Sequence, residues 1–226
     1  MGDVGTSGEG ENRGMTISAA TSSHTGARSC RSSIRMAGLA DIPAIARITQ
    51  EGPVVAGIEP EVMSGATRVL LTLVAFEHGS LWVEQLADGR IVRAVTAIPA
   101  AQLPPRESVV RDVVHQLGGA AAVPLDPAGL GRALLAELAA VRPAWVLMEI
   151  SKVAPRQTVD SALLEAALEW VRAQLGPARA PVMVLADSVA ERAAAQSLGF
   201  VERRTWGYGW PWWLGVAAPT AGATDG

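Results

Sequence analysis

Residues 145–171 read WVLMEISKVAPRQTVDSALLEAALEWV, and this stretch decides the fold. It opens as an apolar run, breaks at Pro155 and restarts with helical periodicity. Val159, Leu163, Ala166 and Trp170 recur at helical spacing, and Leu164, Leu168 and Val171 widen that stripe. An apolar face of that width suits a helix lying on a sheet. Asp160 and Glu165 stand toward the helix start, where carboxylates suit the positive end of the dipole. A strand that stops and feeds a helix leaves amide N–H groups unpaired and aimed at one point, a geometry that can hold phosphate.

Working outward, the upstream chain reads as a short strand at 34–36, then Asp41 as an N-cap. Ile42, Ile45, Ala46 and Ile48 form the buried stripe of a first helix. A second helix is expected over 60–78, with Val62, Val69, Leu70, Leu73 and Val74 inward. Strands at 80–84 and 91–98 flank Ala87-Asp88-Gly89-Arg90, a hairpin signal. Residues 107–142 are helical in two pieces separated at Gly118-Gly119, with Val109, Val113 and Leu117, then Leu130, Leu134, Leu135 and Leu138, inward.

Downstream, the continuous apolar run 182–186 reads as a central strand. Ser188 and Glu191 have capping-box spacing, and Gly199 stands where a left-handed residue ends the helix. Segments 200–206 and 210–214 form a closing strand pair. Four of the seven tryptophans, Trp206, Trp210, Trp212 and Trp213, crowd it. Adjacent Trp212 and Trp213 must face opposite sides of the sheet. These rings suit a buried strand pair, a substrate wall or a homodimer contact.

The bulk numbers narrow the function classes. A chain of 226 residues, 49% hydrophobic and 18% charged, has the apolar content for one substantial core. A net charge of −3 with scattered basic residues leaves no footprint for nucleic acid. Cys30 stands alone, which excludes an internal disulfide framework and fits a reducing cytoplasm. No apolar run reaches membrane-spanning length. His24, His78 and His115 show no ligand spacing, so no metal is expected. Residues 1–32 and 217–226 are poor in large apolar side chains and are expected to be disordered tails around a domain at 33–216.

The order of elements, with Val153-Ala154-Pro155 before Ser161-Ala162-Leu163-Leu164 and with Leu198-Gly199-Phe200 ending a helix, resembles the GNAT superfamily of N-acetyltransferases. The resemblance implies an α/β domain, a mixed and mostly antiparallel sheet splayed near Val153, with helices on both faces. It implies acetyl-CoA as donor and an amine of a small molecule as acceptor. A backbone N–H near Val153 would polarise the thioester carbonyl, Arg156 and Gln157 would begin the phosphate loop, and Ser161 and Ala162 would complete the cofactor site. Glu149, among Leu147, Met148 and Ile150, stands where the family sometimes carries its general base; strand alternation alone would turn it to solvent or to Lys152. Glu84 is a weaker candidate for the same role. Tyr208, the one tyrosine, is the candidate acid. The departures are specific: residues 156–160 hold no glycine, the loop is short, and Ala195 stands where the family often has tyrosine. They carry the alternative of a catalytically silent protein of this fold that binds a ligand or a protein partner.

Overall fold

The computed structural model describes residues 32–50, 59–117, 130–151, 160–176, 180–207 and 211–217. They form a seven-stranded sheet in the order β1-β2-β3-β4-β5-β7-β6. The strands are β1 (Ser32–Met36), β2 (Ser80–Leu86), β3 (Ile91–Pro99), β4 (Trp145–Ser151), β5 (Val182–Ala186), β6 (Val201–Gly207) and β7 (Pro211–Ala217). β4 and β5 pair in parallel; every other neighbouring pair is antiparallel. β1 and β7 each reach one residue beyond the expected domain limits, because Ser32 and Ala217 still find ladder partners.

Helices cover both faces. α5 (Ala162–Leu175) lies on one, burying Leu163, Leu164, Ala167, Leu168 and Val171 against Val95, Leu147 and Val184, with Ala195 of α6 (Val189–Ser197) completing this core. Leu164, Leu168 and Val171 are buried with Leu163 of the first line, while Ala166 and Trp170 stay half-buried and Trp170 meets Trp145 edge to face at 5.3 Å. On the opposite face, α1 (Ile42–Gln50) buries Ile42, Ile45 and Ala46 against Leu81, Val83 and Ala94. α4 (Leu130–Val141) covers Val146, Met183, Leu185 and Leu214 there, with Leu134 and Leu138 inward and Leu135 exposed. Asp41 is not the first cap of this region. It closes a 3₁₀ turn whose N-cap is Gly38, accepts from the Gly38 amide at 2.8 Å, and pairs with Arg35.

The second helix departs in part from the expected stripe. α2 (Pro60–Leu70) runs into a π-helical segment, Leu71–Phe76, whose wider turn shifts the inward face by a residue. Val74 is buried as expected and Val62 and Val69 pack against Ala66 and Val113, but Leu71 and Ala75 join the buried face while Leu70 is exposed. α3 (Glu107–Gln116) packs against α2 through Val113.

Trp212 and Trp213 do face opposite sides: Trp213 enters the core under α5 and Trp212 packs beneath α4. The Trp213 ring lies over Gly215, two residues along the same face, so a Cβ there would collide with a buried indole. Gly215→Ala should cost about 1–3 kcal/mol by overpacking. A urea midpoint equal to that of the wild type would show the ring free to move aside. β6, an outermost strand, carries a bulge between Glu202 and Arg204. The extra residue turns consecutive Arg203 and Arg204 to the same side, where both grip Glu137 of α4, at 3.0 and 2.9 Å. No helix among the described residues is long and apolar enough to cross a membrane.

Candidate active site

Parallel pairing of β4 with β5 runs from Trp145↔Val182 to Met148↔Leu185 and ends there. Glu149 is the next residue on β4, so the strands part at this carboxylate, four residues before Val153. β4 alternation places Leu147 and Glu149 on the α5 side and Val146 and Met148 on the other. Glu149 is 7% exposed, which rules out the solvent-facing reading.

Its partner is Arg93, the third residue of β3. Val95 stands directly opposite Glu149, and Arg93, two residues along the same face, reaches it diagonally. Among the described residues the guanidinium has three contacts. Nε donates to Glu149 Oε1 at 2.7 Å, Nη1 to Glu84 Oε2 at 2.9 Å, and Nη2 to the Asp160 carbonyl at 2.9 Å. Glu84 is the cross-strand neighbour of Arg93 on β2, so register alone brings these two together. Glu149 Oε2 is buried and has no hydrogen-bond partner among the described residues.

Burial pushes the Glu149 carboxyl above the ordinary carboxylate value, while Arg93 pulls it down by charge and hydrogen bond. Glu84 and Asp187 add smaller upward pushes. Asp187 follows β5, across the gap from Glu149, and its amide donates to Glu191 Oε2 at 3.1 Å. The Ser188 hydroxyl accepts from the Glu191 amide, so the cap at the start of α6 is doubly closed.

At the α5 start, Asp160 Oδ1 accepts from the Ala162 amide at 3.0 Å. Ala162 therefore does not offer a free donor to a phosphate in this conformation; the preceding carboxylate holds it in a local turn. Ser161 is half-buried, and its carbonyl accepts from the Glu165 amide. Val153, Arg156, Gln157 and Tyr208 lie outside the described residues.

No family model and no curated protein matches the chain. Solved structures do. A Drosophila melanogaster polyamine N-acetyltransferase superposes with a TM-score of 0.54 at 16% identity, over 83% of this chain and 100% of its own. A Corynebacterium glutamicum protein described as "histone acetyltransferase HPA2 and related acetyltransferase" gives 0.52 at 18% identity, over 83% and 96%. An N-acetyltransferase from Staphylococcus aureus Mu50 gives 0.52 at 12%, over 82% and 100%. The chain has the GNAT fold.

Within this GNAT fold, Ala195 is fully buried beneath the sheet in the α5 core. A methyl group packed there has no proton to give. Arg93 is the residue that sequence reasoning missed, although its signal was present. An arginine in IVRAVTAIP, in alternation with Val95 and Ala97, must face the same core as they do, and a buried cation needs an acid.

Proposed function

We propose that the protein transfers an acyl group from acetyl-CoA, or a related acyl-CoA, to an amine of a small molecule. The observation that carries this reading is Glu149, the first β4 residue beyond the β4–β5 pairing, whose buried Oε2 has no hydrogen-bond partner among the described residues. The residues fit the donor in part. The β4 edge released from β5 after Met148 suits a narrow acyl arm, whereas the α5 start holds Asp160 against the Ala162 amide that an anion would take.

Bound, the donor supplies an activated thioester carbonyl. Glu149 accepts the proton the amine loses, directly or through one water, and its raised affinity for a proton suits it to that task. Val153, Arg156, Gln157 and Ser161 are assigned to the donor on the family resemblance; Tyr208, the one tyrosine of the chain, set between Gly207 and Gly209, is assigned to the returning proton in place of the tyrosine the family often has where Ala195 stands. Holding amine and thioester together supplies most of the remaining acceleration. The test is release of free thiol from acetyl-CoA across a broad amine panel; absence of turnover throughout would overturn the reading.

The Asp160–Ala162 contact, with Ala195 in the core, favours a second reading: a silent GNAT-fold protein that binds a ligand or partner. Calorimetry with coenzyme A separates the two, micromolar binding favouring the enzyme and no heat at millimolar ligand the alternative. Asp160→Gly frees the amide and removes a like charge, so coenzyme A affinity should rise about fivefold, the effect of ~1 kcal/mol between unit charges ~4 Å apart in water. Asp160→Asn, which keeps an acceptor, should give less, and Arg156→Ala should lower affinity. Raised salt should shrink all three effects. Unchanged affinities would place the phosphates elsewhere.

A further inference from the structure

We infer that Arg93 is a positioning residue for acyl transfer, holding Glu149 by Oε1 so that Oε2 alone is left to take a proton. This inference rests on the reading of Glu149 as the base. The geometry is asymmetric in a way that simple charge balance does not require. Arg93 engages one carboxylate oxygen of Glu149 and spends its other two contacts on Glu84 and on the Asp160 carbonyl. One planar group thus fixes the carboxylate on β4, the hairpin strand β2 and the chain entering α5. The remaining oxygen is buried and has no hydrogen-bond partner among the described residues, on the first β4 residue past the end of β4–β5 pairing.

Among the described residues, the charged groups that act on Glu149 are Arg93 on β3, Glu84 on β2 and Asp187 after β5. Asp160 contributes its carbonyl, its carboxylate being turned to Ala162. Arg93 is the one cation among them, so both the orientation and the proton affinity of Glu149 answer to it. Lysine at this position would keep the charge but could not reproduce the guanidinium fork.

The test compares wild type, Arg93→Lys and Arg93→Gln in two measurements. Carboxyl ¹³C NMR follows the Glu149 titration, its resonance assigned by its loss in Glu149→Gln. The acid limb of kcat/KM for an accepted amine is then followed against pH. Arg93→Gln should raise both midpoints by about one to three pH units, the size of an opposite charge lost at contact distance. Arg93→Lys should restore much of the midpoint while kcat stays low, because the free oxygen is no longer aimed. An unmoved Glu149 titration in Arg93→Gln overturns the inference. So does an even loss of rate at every pH, which marks a structural role only. Absence of turnover in the wild type, with the titration shift present, overturns acyl transfer and leaves the control of Glu149 by Arg93 standing.

Discussion

Glu149→Gln is expected to lower amine turnover by roughly a hundredfold to ten-thousandfold, the range that a positioned acid or base contributes. The amide keeps an oxygen for Arg93 Nε and nearly the same volume, so the fold and coenzyme A affinity should be preserved. The loss should therefore fall on kcat, with binding measured separately by calorimetry. In the wild type, activity should rise with pH through the Glu149 midpoint, which burial places above the ordinary value. The variant should lack that limb. Retention of full turnover by Glu149→Gln would remove this carboxylate from the chemistry.

Arg93→Met is expected to cost about 3–5 kcal/mol of stability near neutral pH, the cost of breaking a buried pair from one side. The side chain fills similar volume, so the effect is one of charge. Glu149 is then buried without a cation, and its folded-state pKa moves further above its unfolded value. Between those two values the folded chain binds more protons than the unfolded chain, so stability falls as pH rises through the window. The deficit should accordingly be small near pH ~5 and full near pH ~8 when urea unfolding is measured at both. A deficit that does not depend on pH would mean that lost packing, not an uncompensated carboxylate, is responsible.

The elements that define the fold were legible because their signals are local. The apolar run at β5, the turn between β2 and β3, the left-handed Gly199 and the opposite faces of Trp212 and Trp213 each follow from a few neighbouring residues. The inward face of the second helix was legible at Val62, Val69 and Val74 but not at Leu70, Leu71 and Ala75, since a π-helical turn at Leu71–Phe76 changes the period that pattern reading assumes. The candidate site was legible in half. Glu149 follows from the family resemblance, with its apolar strand neighbours. Its orientation depends on a diagonal contact between β3 and β4, and on a carbonyl supplied from residue 160, far away along the chain. Register between distant strands is what sequence reading lacked. The turn that seats Asp160 on the Ala162 amide was also missed, because Asp160 was weighed only as a charge and not as a hydrogen-bond acceptor.

The bulge in β6 bears on how this molecule behaves in a crowded solution. An outermost strand offers a row of unpaired amides and carbonyls to any extended segment that meets it, and so can seed aggregation. Here the irregular step between Glu202 and Arg204 interrupts that row, and the two arginines hold the strand down onto α4 through Glu137. An incoming chain would find its register broken at the second residue and charged groups along its path. The strand that closes the domain thereby also guards it from adding another, so the sheet stops where β6 ends.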